Sequence, residues 1–79
     1  MQKIEILGPG CARCKQTYRV IQHVVEHEGL QFDVVKEESY ARMSALNVLA
    51  TPAVAVDGKV VLSGRVPSAE EVRTLLHAL

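Results

Sequence analysis

Two cysteines in one short stretch, Gly10-Cys11-Ala12-Arg13-Cys14-Lys15, are the residues of this chain best suited to chemistry. A thiol pair separated by two residues can close into a reversible disulfide, or can hold a soft cation such as Cu(I). The stretch follows an apolar run and a Gly-Pro-Gly turn and opens an amphipathic segment, which places it at a strand-to-helix junction. Cys11 then falls at the helix N-terminus, where free backbone N–H groups and partial positive charge favour thiolate over thiol. Arg13 and Lys15 add positive charge nearby. Cys14, about one turn further on, lies on the same helical face and points inward, placed to attack a mixed disulfide formed at Cys11. On this reading Cys11 is the nucleophile and Cys14 the resolving thiol.

The totals narrow the field. Seventy-nine residues suffice for a single domain, 1–79, whose 48% hydrophobic content can build a core. A domain this small buries only about 60% of its unfolded surface, so its stability is modest. A disulfide across so short a loop would add little to it, because it removes little unfolded-state entropy. The pair is therefore better explained by reactivity than by stapling. Nine basic and nine acidic residues balance, so no large field draws in nucleic acid or an anionic membrane. Aromatic residues are limited to Tyr18, Tyr40 and Phe32, too few for a base-stacking platform. No apolar run approaches the roughly 18 residues of a membrane span. The first strand starts almost at Met1, which leaves no room for a signal peptide and points to the cytoplasm. In that compartment a cysteine pair is more often catalytic or metal-binding than structural.

The elements that must position the pair follow in order. Ile4 to Leu7 reads as a short, largely buried strand, broken by Gly8-Pro9-Gly10. From Cys11 to about Glu28 the apolar positions Cys14, Tyr18, Ile21, Val24 and Val25 recur at helical spacing, with Gly29 as C-cap. Phe32 to Lys36 reads as a second strand, parallel to the first across the helical crossover. Ser39 caps a helix running to about Leu46, with Met43 and Leu46 inward. Thr51-Pro52 leads into Ala53 to Val56, and Asp57-Gly58-Lys59 turns the chain back along Val60 to Leu62 as an antiparallel hairpin. Ser68 and Glu71 form a capping box for a last helix whose buried stripe is Val72, Leu75, Leu76 and Leu79. The expected fold is α/β in the order βαβαββα, a four-stranded mixed sheet covered by three helices.

That order, the Cys-x-x-Cys at the first helix and a Thr-Pro before the third strand resemble the thioredoxin fold. The Gly-x-Gly-Cys-x-x-Cys opening and the Ser-Gly-Arg-Val-Pro-Ser segment are more similar to the small thioredoxin-like "redox-active disulfide" proteins. The resemblance covers nearly the whole chain. It implies that Cys11 attacks, that Cys14 resolves, and that Pro52 is a cis proline packed against the disulfide, with Thr51 and Pro52 meeting the substrate. It also implies a proton acceptor at Glu5, six residues before Cys11, where thioredoxins keep a buried aspartate. In that role Lys36 in the neighbouring strand could pair with Glu5, and a carboxylate beneath the disulfide could have a raised pKa; in the competing reading Lys3 and Glu5 simply occupy a wetter face of the sheet. The chain departs from the usual Trp-Cys-Gly-Pro-Cys, having no tryptophan and Ala12-Arg13 between the cysteines. It also carries Ser63-Gly64-Arg65 where glutaredoxins hold glutathione through a Gly-Gly pair and an acidic residue.

Two functions follow from the same cysteines. The first is thiol–disulfide exchange of the protein disulfide reductase type, with a protein or small-molecule disulfide as substrate and an external reductant, thioredoxin-reductase-like or other, to recycle the pair. It needs no cofactor. The second is binding or transfer of a soft metal. The known ferredoxin-like metal chaperones place such a pair similarly, but in the order βαββαβ. His23 and His27, four apart on one helix, have a spacing that can bind metal, yet no third ligand accompanies them, and no resident metal is assigned. The helix-terminus argument makes Cys11 titrate below the free-thiol value of about 8.5 while Cys14 does not. The rate of alkylation against pH, followed at each cysteine, checks this, and an ordinary or higher inflection at Cys11 would refute it.

Overall fold

The computed structural model describes residues 2–10 and 12–78. Met1, Leu79 and the proposed nucleophile Cys11 lie outside the described residues. The order is β1 (Gln2–Leu7), α1 (Ala12–His27), β2 (Phe32–Glu37), α2 (Tyr40–Ala45), β3 (Ala53–Val56), β4 (Lys59–Ser63) and α3 (Ala69–His77). The strands form one mixed sheet in the order β2-β1-β3-β4. β1 runs parallel to β2 and antiparallel to β3, and β3 is antiparallel to β4 with a bulge beside Val54 and Ala55. This is the expected βαβαββα architecture, a thioredoxin-like fold. No helix among the described residues is long and apolar enough to cross a membrane.

Local chemistry sets the boundaries. Gly29 takes φ +64° at the end of α1, and Leu30 and Gly29 donate back to the carbonyls of Val25 and Glu26, a Schellman ending that glycine accommodates without a Cβ penalty. Ser39 Oγ accepts from Arg42 N at 3.3 Å to start α2, and Ser68 Oγ accepts from Glu71 N at 3.1 Å to start α3. The carboxylate of Glu71 is held below its usual range chiefly by Arg65, with the Ser68 N–H adding to the effect. Asp57 and Gly58 both have positive φ, as a two-residue hairpin turn of this twist requires.

Two apolar layers sandwich the sheet. On one face Ile4, Ile6, Val54 and Val56 pack against Ile21, Val24 and Val25 of α1 and Val72 and Leu76 of α3. On the other, Leu7, Ala53 and Ala55 meet Met43 of α2, with Leu46, Val48 and Val60 around them. Strand alternation divides β1 between the layers. Ile4 and Ile6 go to the α1 side, Leu7 to the α2 side. In α1 the buried stripe includes Thr17 in place of the expected Tyr18, which is half-buried. Thr17 satisfies its hydroxyl by donating to the Arg13 carbonyl at 2.8 Å.

Glu5 shares the α2 face with Leu7 and is the buried carboxylate of the sheet. Arg42 of α2 closes over it. Arg42 Nε donates to Oε2 at 2.9 Å and Nη2 to Oε1 at 2.7 Å, a two-pronged pair whose guanidinium side chain remains 39% exposed while the Glu5 side chain is 2% exposed. The pair secures the short helix α2 to the central strand. The bonds from Arg42 hold the Glu5 carboxyl below its ordinary 4.5, against the upward push of burial, with Lys3 adding in the same direction as Arg42.

Two outcomes test this packing. Ile21→Ala empties a site in the main layer and should cost about 2–5 kcal/mol, whereas Leu49→Ala, at a position 96% exposed, should stay within about 0.5 kcal/mol. Urea unfolding of both variants measures it. A depressed carboxylate pKa contributes stability that is in place above the ordinary value of 4.5 and is lost as pH falls through the folded value. Arg42→Ala should therefore destabilise the protein near neutrality, and the gap to wild type should narrow as pH falls to about 3. Urea midpoints across that range decide it, and a constant gap would refute the pairing argument.

Candidate functional site

The site begins where β1 ends. Gly8 extends the ladder through its N–H to the Glu37 carbonyl at 3.0 Å, then the chain turns through Pro9 and Gly10 toward α1. Gly10 takes φ +86°, in the left-handed region that glycine occupies freely. Cys14 lies in the first turn of α1, buried. Its sulfur occupies the space that a side chain at Gly8 would fill: a Cβ placed on Gly8 would overlap Cys14 Sγ, and would lie 3.8 Å from Thr51 Cβ. Any larger residue at position 8 would push the sulfur out of its seat. The missing side chain of Gly8 thus leaves room for the Cys14 sulfur with Thr51 close by.

The Thr51–Pro52 peptide bond is cis, and Pro52 is fully buried. The Pro52 carbonyl accepts from Gly64 N at 2.9 Å, and the Gly64 carbonyl accepts from Arg13 Nη2 at 3.2 Å. Through Gly64, Arg13, one of the two residues between the cysteines, is tied to the proline turn. The sequence marked the Ser63-Gly64-Arg65 loop only as a place where glutathione is held in other proteins. Here Gly64 is a bridge, and Arg65 forks onto the carboxylate of Glu71.

Glu5 departs from expectation in three ways. Its partner is Arg42, not Lys36. Its pKa is lowered where a raised one was expected. Its side chain also sits on the α2 face, whereas Cys14 belongs to the helix on the other. The reason is parity. Glu5 is level with Val35, and Lys36 is level with Ile6, so Lys36 emerges on the α1 face, where its Nζ lies 4.9 Å from the centre of the Tyr18 ring.

The charged groups that do approach Cys14 are others. A crevice of about 20 Å³ is lined by Ile6, Gly8, Gly10, Cys14, Lys15, Lys36 and Glu38. Glu38 Oε2 reaches to 2.9 Å of where a Cβ on Gly10 would stand. On the other side of Thr51 an open hollow is lined by Tyr40, Met43, Val48, Leu49 and Ala50, with Leu49 96% and Tyr40 72% exposed. Nothing in the spacing of Glu38, Tyr40 or Leu49 marks them in the sequence. Glu38 and Leu49 lie between elements and Tyr40 opens α2, and what they approach is distant in the chain. A further hollow between α1 and α3, of about 240 Å³, is lined by His23, His27, Glu28 and Arg73 among others and shares no lining residue with the Cys14 crevice. The rings of His23 and His27 stack at 5.8 Å.

Comparison with known proteins agrees with this geometry. The sequence model of a family described as thioredoxin domain matches residues 2–77. A thioredoxin of Methanocaldococcus jannaschii is 37% identical over 78 residues, covering 99% of this chain and 90% of that protein. A thioredoxin of Methanothermobacter thermautotrophicus is 33% identical over 76 residues, covering 96% and 99%. Among solved structures, oxidised thioredoxin from Plasmodium falciparum in solution superposes with a TM-score of 0.63 at 18% identity, over 98% of this chain and 79% of that one, a likeness of fold. With its redox-type helix start, its Thr-Pro turn and a family match from end to end of the sheet, the chain belongs to the thioredoxin family of thiol–disulfide oxidoreductases.

Proposed function

We propose that residues 1–79 act as one thioredoxin-like domain that reduces disulfides in proteins, with Cys11 as nucleophile and Cys14 as resolving thiol. The observation that carries the reading is the seat of Cys14. Its sulfur is buried in the space that a Cβ on Gly8 would take, with Thr51 Cβ 3.8 Å from that point, a placement that suits an internal thiol and leaves the first attack to its partner. In the forward reaction the Cys11 thiolate attacks one sulfur of the substrate. The substrate S–S bond breaks, and the other substrate sulfur leaves as a thiolate that takes a proton. Cys14 then attacks Cys11 in the mixed disulfide, the second substrate thiol departs, and the pair is left as a disulfide. An external dithiol or flavin-type reductase returns two electrons.

Thr51 and Pro52 form the substrate-facing edge in this reading. The apolar hollow beside Thr51, with the exposed Leu49 and Tyr40, supports a polypeptide substrate over a small polar one, because exposed side chains of this size are usual at surfaces that meet protein. The closely spaced cysteine pair suits the reducing environment of the cytoplasm. The soft-metal alternative uses the same two sulfurs, but the βαβαββα order differs from that of the ferredoxin-like chaperones that prompted it.

The test is the asymmetry of the cysteines. Cys11→Ser should abolish reduction of a protein disulfide such as insulin, and Cys14→Ser should accumulate a covalent mixed disulfide through Cys11. Mass spectrometry of each variant after exposure to a model disulfide reads the outcome. Trapping through Cys14 alone would reverse the roles. Tight stoichiometric Cu(I) binding by a protein inactive toward disulfides would replace this reading with the metal one.

A further inference from the structure

The resolving step needs a proton to leave Cys14, and Glu5 is badly placed to take it. Glu5 lies on the opposite face of the sheet, and Arg42 occupies both its oxygens. The crevice over Cys14 offers another carboxylate. Its walls bring together groups from every element around the sulfur: Ile6 from β1, the backbones of Gly8 and Gly10 from the turn, Lys15 from α1, Lys36 from β2, and Glu38 from the loop that follows. Two positions without side chains open it. Gly8 admits the sulfur and Gly10 admits the carboxylate, whose Oε2 lies against the missing Cβ. Among the described residues Glu38 makes no ion pair with its neighbours. The volume of about 20 Å³ exceeds the roughly 10–15 Å³ that one water requires, and the Cys14 sulfur and the Glu38 side chain both belong to its lining.

We propose that Glu38 is the proton acceptor for Cys14, working through a single water across this crevice. The inference rests on the disulfide-exchange reading and deepens it. Cys14 Sγ–H passes its proton through the water to the Glu38 carboxylate. The sulfur electron pair forms the bond to Cys11, and the bond between Cys11 and the substrate sulfur breaks. The departing thiolate then takes the proton back from Glu38, so atoms and charge balance and no outside oxidant is needed. Lys15 and Lys36 flank the path and offset the negative charge that moves along it. A thiol that must ionise in a buried seat gains most from such a base at and below neutral pH, and least where solvent hydroxide does the same work.

The experiment is a single-turnover measurement on the full chain. The mixed disulfide of Cys11 with thionitrobenzoate is formed, and release of the coloured thiol is followed against pH in wild type, Glu38→Gln, Glu38→Asp and Glu5→Gln. Glu38→Gln should slow release by about tenfold at about pH 6.5, below the roughly hundredfold or more usual for a positioned base because this one is solvent-accessible, and should converge on wild type by about pH 9. Glu38→Asp should recover part of the loss, Glu5→Gln should leave the shape of the profile intact, and the initial attack on the reagent should change by less than about twofold in Glu38→Gln. A Glu38→Gln profile superposable on wild type overturns the assignment. So does equal slowing at every pH, which would mark a structural role. If wild type itself forms the mixed disulfide but never releases it, the disulfide-exchange reading falls and takes this one with it.

Discussion

Strand β1 is paired on both sides, to β2 and to β3, so it cannot slip or twist to suit any one of its side chains. Its alternation is a constraint on everything else. Ile4 and Ile6 enter the layer with α1 and α3, Glu5 and Leu7 the layer with α2. Gly8, at its end, still holds the ladder through Glu37 and so is fixed in space. Because Gly8 is fixed, the sulfur of Cys14 and the side chain of Thr51 have a common wall, and α1 begins where that wall allows. A register shift of one residue would exchange the faces and leave Glu5 in the apolar layer without its arginine.

Charge follows the same division. On the α2 face the ion pair of Glu5 and Arg42 is structural in character: a carboxylate buried in the sheet must be paired, and the planar fork of arginine reaches it from a helix whose own exposed side stays wet. On the α1 face the charged groups remain half in solvent, around a crevice too small for anything but water and side-chain movement. A buried, doubly bonded carboxylate resists changing its protonation state, while a solvent-accessible one does so readily. The two faces therefore differ in how their charges are held, and the sulfur sits on the side of the crevice.

The proline turn is held from a third direction. Arg13 stands between the cysteines, yet its guanidinium reaches the Gly64 carbonyl, whose own N–H is given to Pro52. A dipeptide that differs from the usual Gly-Pro thus acts at a distance, linking the helix start to the loop after β4. One exposed hydrogen bond is a modest contribution, on the order of 1 kcal/mol. Its consequence lies in relative placement, since it ties the start of α1, which carries Cys14, to the turn at Pro52.

What the sequence alone determined was local. The four strands, three helices, the glycine and serine caps, the Asp57-Gly58 turn and the place of Cys14 in the first turn of α1 all depend on residues within a few positions of each other, and each stands where the spacing placed it. Membership of the thioredoxin family was legible for the same reason. The partner of Glu5 was not. Arg42 is thirty-seven positions away and comes within reach only once α2 folds over the sheet, whereas Lys36, close in the neighbouring strand, is sent to the opposite face by a single step of alternation. Glu38, Tyr40, Leu49 and the bridge at Gly64 were likewise decided by tertiary structure. Loops and the first residue of a short helix carry no periodicity from which the direction of a side chain can be read, and only packing of the finished sheet brings these residues near Cys14 and Thr51.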